Sequence, residues 1–453
     1  MKKPNKGIGT TRPKRLVVLF SLLVALLFWF LFLGGARNLA LQRAQTNIYD
    51  WSVESAEWWL RVAEFFGKNG ETVFLRARIS RLNGDIDEFK SQLKEAHQLG
   101  IDPARLEREQ EIHLLNIGEI SPELEAKTEK WINESPPDVP LIVDAFVNGL
   151  ASQSKFQAAL RLLEAYEVVF PNDPMVNYRL GLIHEHSRNK AEAERQYNLA
   201  HSKNSRYFKA VWCLARIRSS SNSPQEAINL LKLHPPSAAL AAKTLMAHCH
   251  EQLGDTETAR TILTEVVNAG FEATQKSHRV IDETAERFLA AAELGVIETK
   301  LGNWENARKY LELALKANDR DFIARNSYSQ VLRRLGLKDQ ADKELARIIE
   351  ERAEYDKIAV LQDRIMKESG VEARVELGKI LFKYESEKSG LFWIRSAISL
   401  DPNCLEAHQF LVDYFDKESQ RPNSSEDLKK SSERRAKYHR GEVERINALS
   451  KAP

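Results

Sequence analysis

Two histidine pairs have the spacing that most invites a chemical reading: His184 with His186, and His248 with His250 on either side of Cys249. Each pair is spaced i, i+2. On a helix that spacing turns the two rings to nearly opposite sides, whereas a zinc site needs ligands converging on one point. Neither pair is expected to hold an ion, and no metal or cofactor is expected. A nucleotide-binding glycine loop, an HExxH sequence and a nucleophile elbow are all missing from the chain. The 64 Asp and Glu residues are scattered as solvated helix faces normally carry them. Cys213, Cys249 and Cys404 form no CxxC and no disulfide framework, and they fit small buried positions on helices. With no constellation for catalysis, the chain reads as non-enzymatic.

The elements that position these residues are helices. Apolar residues recur at three and four and rarely at two, and the 453 residues contain only 15 Pro and 20 Gly. A chain of this length, 43% hydrophobic and 29% charged, suffices for two or three domains or one long solenoid. The formal charge of +2 and the lack of a basic patch interleaved with aromatics argue against nucleic acid as a partner.

Residues 1–15 carry Lys2, Lys3, Lys6, Arg12, Lys14 and Arg15 and no acid, and Leu16 to Ala36 carry no charge. Such a run, as a helix, spans roughly the ~30 Å of a hydrocarbon core. The basic flank is expected to stay in the cytoplasm and the remainder to lie outside it. An uncleaved transmembrane anchor over residues 16–36 is the preferred reading. A secretory signal cleaved near Gly34-Gly35-Ala36 is the alternative, against which the apolar run is long. Residues 37–70 read as a juxtamembrane helix rich in aromatics. Trp58, Val62, Phe65 and Phe66 form a stripe expected to pack on the first repeat, although aromatic residues also favour a membrane interface.

Beyond Glu71 a helix-turn-helix rhythm begins, with Phe89, Leu93 and Ala96 on the second helix of the first pair. The rhythm is degenerate over 101–134. It is clearest from Phe288 to Phe322, where a helix, a break at Gly302-Asn303 and a second helix follow in turn. Small residues Gly295, Ala307 and Ala314 mark close helix approach, and Leu294, Leu301 and Leu311 are expected to fill the space between. Val147, Gly181, Ala215, Ala247, Gly295, Ser329, Gly378 and Val412 occupy one position of successive first helices, separated by 34, 34, 32, 48, 34, 49 and 34 residues. Ala159, Ala193, Ala227, Ala259, Ala307, Ala341 and Gly390 occupy the matching second-helix position. An excess of 14 or 15 residues in two gaps is about four helical turns, which extended helices or one additional helix can absorb.

This pattern resembles the tetratricopeptide (TPR) repeat, a helix-turn-helix unit of about 34 residues. The resemblance covers roughly residues 71–416. It implies an all-α fold: a right-handed TPR-type α-solenoid, a superhelix of antiparallel helix pairs, here preceded by one transmembrane helix. The expected divisions are a cytoplasmic basic tail (1–15), an anchor (16–36), a juxtamembrane helix (37–70), degenerate TPR-like helices (71–138), the solenoid (139–419) and a C-terminal capping helix (420–453). That last helix has Leu428, Tyr438, Val443 and Ile446 as its few apolar residues. Capping is its first reading, and a basic partner-binding arm is the second.

A solenoid of this family offers a groove lined by its first helices. Projected on the register, the partner-binding candidates are Tyr178, Lys209, Trp212, Arg216, Arg333, Arg334, Lys379 and Lys383, with Glu185, Thr244, His248, Asn326 and Gln330 beside them. Cations outnumber acids there and two aromatics offer anchors, so an acidic segment of a protein partner is expected; ordinary solvated side chains are the plainer account. Some family members grip a C-terminal carboxylate with a Lys and Asn set, of which only Asn326 stands in register here. The resulting expectation is a scaffold tethered to the membrane, as in a bacterial inner-membrane protein whose C-terminal domain is periplasmic and serves envelope assembly or secretion. The alternative is an export component whose solenoid binds a polysaccharide or a lipid-linked substrate.

Overall fold

The structure, a computed structural model, describes residues 12–32, 34–134, 136–285, 287–368, 370–421 and 426–449. Most of the predicted basic tail therefore lies outside the described residues. Among them all regular structure is helical. Helix α1 (Arg12–Phe32) precedes a hairpin of α2 (Gly35–Tyr49) and α3 (Val53–Phe65). Then come α4 (Gly70–Leu82), α5 (Ile86–Gln98), α6 (Pro103–Asn116), α7 (Pro122–Glu134), α8 (Val139–Ser152), α9 (Phe156–Val169), α10 (Pro174–His186), α11 (Lys190–Lys203), α12 (Phe208–Ser220), α13 (Pro224–Leu231), α14 (Ala239–Gln252) and α15 (Thr256–Ala269). A short α16 (Phe271–Arg279) interrupts the pairs before α17 (Leu289–Lys300), α18 (Trp304–Ala317), α19 (Phe322–Arg334), α20 (Lys338–Glu368), α21 (Val371–Tyr384), α22 (Glu387–Leu400), α23 (Leu405–Ser419) and α24 (Glu426–Leu449). Contacts divide the chain into two units, residues 1–115 with 120–145 and residues 116–119 with 146–453.

In the first unit, the helix expected over 16–36 stops at Phe32, and the left-handed Gly34 (φ 83°) separates it from α2. The first four of the 21 residues of α1, Arg12 to Arg15, precede the uncharged run. What remains rises roughly 25 Å at 1.5 Å per residue, short of the ~30 Å core. Among the described residues no helix is long and apolar enough to cross a membrane. The single juxtamembrane helix expected over 37–70 is two helices, folded back at Trp51 (φ 59°). The predicted stripe is also displaced. Trp58 and Phe65 are exposed, and Ala56, Leu60 and Ala63 form the buried face, because small side chains let α3 approach its neighbours. The α4–α5 pair forms as expected, with Phe89, Leu93 and Ala96 buried.

Five polar groups occupy the centre of this unit. Arg78 Nε donates to Glu109 Oε2 and Arg81 Nε to Glu109 Oε1, each at 2.8 Å. Arg78 Nη1 lies 2.9 Å from Asp138, which also accepts from the Tyr49 hydroxyl at 2.7 Å. Burial alone would raise the Glu109 carboxyl; Arg78 and Arg81 outweigh it and hold the carboxyl below its ordinary value.

In the second unit one backbone device sets the rhythm. Where a first helix ends, an amide reaches back five residues across a residue of positive φ: Asn303 to the Glu298 carbonyl over Gly302, Asp255 to His250 over Gly254, Leu337 to Leu332 over Gly336. Ser154, Arg188 and Asn222 hold the same place in three other turns. The left-handed residue closes the helix and redirects the chain, and only glycine takes that conformation without steric penalty. The small second-helix positions Ala159, Ala193, Ala227, Ala259, Ala307 and Ala341 are fully buried. A Cβ on Gly181 would stand 2.3 Å from the Tyr197 ring, and one on Gly295 would stand 2.6 Å from Leu311, so the first helices need glycine there for contact.

Three expected positions differ. Leu301 is exposed because it caps α17 instead of lying within it. Val412 is only half buried, and Leu411 takes the core place on α23. Cys404 is a half-buried cap of α23, whereas Cys213 and Cys249 are buried in helices. The two long gaps are filled in two ways: α16 is an additional helix, and α20 is one extended helix of 31 residues.

Helix α24 packs along α23 with Ala436 in their shared core, Ser431 donates to Glu119, and Tyr438 faces solvent. His408 Nδ1 and His439 Nδ1 are 2.9 Å apart at this contact. Burial, with His408, Arg395 and Arg435 nearby, pushes His439 down to about 4, and burial lowers His408. Both rings are neutral in the native state and one donates to the other. A folded-state value below the unfolded one means that stability is complete above pH ~6.5 and falls as pH drops through that value toward 4. Urea unfolding should therefore show a loss on the order of 1–2 kcal/mol between pH 7.5 and 5, allowing for solvent screening. His439→Phe should remove most of that dependence, and an unchanged pH profile in this variant would refute the assignment.

Candidate functional site

The first helices of the second unit stack in sequence, α12 on α14, α14 on α17 and α17 on α19, and the candidate residues project from this layer. Tyr178 and Arg179 come from α10, one turn before Gly181. Lys209, Trp212 and Arg216 come from α12, at the i, i+3 and i+7 spacing that aligns them on one face.

These residues converge on two adjacent carboxylates that the register alone does not reveal. Asp282 and Glu283, in the turn that closes α16, lie against α10 and α12. Lys209 Nζ stands 2.7 Å from Asp282 Oδ1, the Tyr178 hydroxyl donates to Asp282 Oδ2 at 3.1 Å, and Arg179 Nη2 is 3.5 Å away. Trp212 Nε1 donates to Glu283 Oε1 at 2.7 Å. Arg216 Nε lies 3.8 Å from the same oxygen, and His278 Nδ1 lies 3.5 Å from Glu283 Oε2. Behind them Glu185 accepts from Arg216 at 2.7 Å and from the Tyr197 hydroxyl at 2.8 Å, so Arg216 bridges two acids. Tyr207 meets the Tyr178 ring edge-on, with centroids 5.5 Å apart.

The electrostatics follow from this enclosure. Burial works to raise the Asp282 carboxyl, but Lys209 and Arg179, with hydrogen bonds from Lys209 and Tyr178, hold it below its ordinary value. For Glu283 burial is likewise outweighed, here by hydrogen bonds from His278 and Trp212 and by the Arg216 charge. Burial and the Asp282 charge push the Tyr178 hydroxyl well up, and burial pushes the Cys213 thiol up to about 12, so neither ionises at neutral pH.

Tyr178, Lys209, Trp212 and Arg216 therefore form one cluster. Tyr178 and Trp212 are not the open aromatic anchors expected, because they are 1% and 4% exposed in contact with the α16 turn. The other candidates lie elsewhere. Arg333 pairs with Asp342 at 3.2 Å and Arg334 lies over the Trp304 ring. Lys379 pairs with Glu406, and Lys383 lies 3.6 Å from Glu350 and over the Tyr384 ring. Asn326 and Gln330 are exposed and Thr244 is buried. His248 pairs with Glu293 and His250 with Asp255, and His186 stacks on Phe392. Among the described residues no group of three His, Cys, Asp or Glu is placed to hold a metal ion. Sequence reasoning missed Arg179, His278, Asp282 and Glu283; the signal for the last three was the 48-residue interval from Ala247 to Gly295.

Residues 145–206 and 287–356 match the tetratricopeptide repeat family. No curated protein matches the chain. Among solved structures, the chain is similar to YrrB, described as a TPR protein with an unusual peptide-binding site, at 18% identity over 47% of this chain and 96% of that one, with a TM-score of 0.27. It is similar to the Cut9–Hcn1 tetramer of the APC/C at 13% identity over 76% and 63%, with a TM-score of 0.41. It is also similar to pilF of Pseudomonas aeruginosa at 14% identity over 53% and 96%, with a TM-score of 0.26.

Proposed function

Because the chain carries tetratricopeptide repeats, we propose that it is a non-enzymatic protein–protein interaction scaffold whose first-helix layer holds an acidic segment of a partner. The carrying observation is the α10–α12 face, where Lys209, Trp212 and Arg216 satisfy two carboxylates side by side. A buried aromatic beside an arginine is the composition of interface hot spots.

The proposal includes tethering to a membrane through α1. Val17 to Phe28 of α1 present exposed apolar side chains, and Trp58 and Phe65 are exposed further on. A stretch a few ångströms shorter than the hydrocarbon core is accommodated by local thinning of the bilayer. The basic flank before Leu16 favours a bacterial inner-membrane protein with both folded units in the periplasm, holding components of envelope assembly or secretion.

Co-purification from detergent-solubilised membranes tests both parts. The full chain should sediment with membranes and a variant lacking residues 1–36 should not. Lys209→Glu combined with Arg216→Glu should lose the captured partner while retaining helical content. Capture unaffected by the double reversal, or fractionation indifferent to the deletion, would reject the corresponding half of the proposal.

A further inference from the structure

We infer that the turn closing α16 is a resident occupant of the α10–α12 cradle, a stand-in for a partner peptide carrying two adjacent carboxylates, and that binding such a peptide displaces it. The inference deepens the scaffold reading and rests on it.

The insertion is dispensable to the stack. The helix pairs α14–α15 and α17–α18 are complete without residues 271–287, and α15 and α14 both pack on α17 directly. Nothing in the repeat geometry requires α16, yet the turn is aimed into a cluster of three cations and two aromatics on α10 and α12. Its hold is apolar where α16 begins and polar at the turn that closes it. Phe271 packs into the core beside Phe288, ring centroids 5.2 Å apart, Ile281 is buried, and Ser277 accepts the Ala241 amide of α14 at 3.1 Å. At the turn, His278 meets the Trp212 ring edge-on and the carboxylate set already described supplies the contacts to α10 and α12. The Asp282 and Glu283 contacts are charge and hydrogen bonds, which another pair of carboxylates can replace by local opening of the turn while Phe271 stays in the core.

The backbone fixes how the turn presents its two carboxylates. Glu283 N reaches back to the His278 carbonyl at 3.1 Å across Asp282, whose φ is 60°. This is the same closure that ends the first helices, where Gly84, Gly254, Gly302 and Gly336, and in other turns Ser154, Arg188 and Asn222, take the left-handed place. Aspartate is among the few non-glycine residues that take the left-handed conformation, through its short polar side chain. Aspartate at that point supplies the carboxylate that Lys209, Tyr178 and Arg179 engage. Glu283 follows at once, so the turn presents the two charges on consecutive residues, as an acidic dipeptide of a partner would. With the turn gone, the Trp212 indole N–H and the Lys209 ammonium lose the partners described here, and an incoming pair of carboxylates restores them.

The test uses the full chain in detergent and a fluorescein-labelled peptide Val-Ile-Asp-Glu-Thr, with Val-Ile-Asn-Gln-Thr as control, read by anisotropy. If the cradle is vacant for only about 1–10% of the time, Asp282→Gly with Glu283→Gln should tighten acidic-peptide binding about 10–100-fold. The control peptide should gain nothing, and adding Arg216→Glu should cancel the gain. No gain, or an equal gain for the control, overturns the inference. On the unaltered chain, saturating acidic peptide should accelerate amide exchange over residues 280–285; unchanged exchange at saturation also overturns it. Failure here leaves partner co-purification intact, whereas failure of the scaffold reading removes co-purification and leaves the peptide measurements readable.

Discussion

Glu109→Ala is expected to destabilise the first unit by about 3–5 kcal/mol, the cost of leaving buried charges without their counterion. Arg78 and Arg81 both place Nε 2.8 Å from its oxygens, and all three side chains are almost wholly inaccessible to water. Arg78 keeps Asp138 at 2.9 Å, but Arg81 Nη2 is already buried without a hydrogen-bond partner among the described residues, so the loss falls mainly on Arg81. Amide exchange over α4 and α6 during urea unfolding of the full chain reads the loss. An apolar replacement of the whole trio, Glu109→Leu with Arg78→Met and Arg81→Leu, should recover most of the stability, because an absent charge needs no partner. A loss below about 1 kcal/mol for Glu109→Ala would show that water reaches these arginines. Since the Glu109 carboxyl is held below its ordinary value, its contribution persists above pH ~4.5 and fades as pH falls beneath that.

Gly390→Ala is expected to destabilise the α21–α22 pair by about 1–3 kcal/mol, against the usual gain when alanine replaces glycine in a helix. A Cβ on Gly390 would stand 2.3 Å from Phe382 Cβ, 2.5 Å from its Cα and 2.6 Å from its amide nitrogen. The obstacle includes backbone and cannot rotate away. On the facing helix, a Cβ on Gly378 would come within 3.0 Å of the Gly390 carbonyl oxygen, so the two backbones cross at nearly the closest approach that helices allow. Gly441→Ala is the matched control. Gly441 lies in α24 with nothing within 4 Å of an added Cβ, and the change should stabilise by roughly 0.5–1 kcal/mol. Thermal melts of the two variants should move in opposite directions. A Gly390→Ala protein that melts higher than the parent would mean that the crossing is looser than described.

Gly390 also marks where a family resemblance informs and where it stops. The register identified it as the place normally taken by alanine, and a small residue was all that the spacing demanded. That glycine alone fits depends on the distance between α21 and α22, which Phe382 and Gly378 set from another helix. Trp58 and Phe65 make the same point in reverse. Their spacing described a buried stripe, but Ala56, Leu60 and Ala63 won the contact because α3 packs closely and large rings do not fit beneath it. Leu301 had core chemistry, yet it fell at a cap, one residue before the left-handed Gly302.

By itself the sequence determined the helix pairs, their turns and their period. Those are local properties, written in apolar spacing, in glycine at helix ends and in small residues where helices touch, and each is fixed by a few neighbouring residues. It also placed Tyr178, Lys209, Trp212 and Arg216 on related faces of consecutive first helices. Only the tertiary structure decided what those four residues face. Asp282 and Glu283 are distant in sequence from Tyr178 and Lys209, and no periodicity encodes where an insertion between repeats comes to rest. Their meeting depends on how α16 leaves α15 and where α10 and α12 hold their cations, a long-range match of charge that exists only once the helices are stacked.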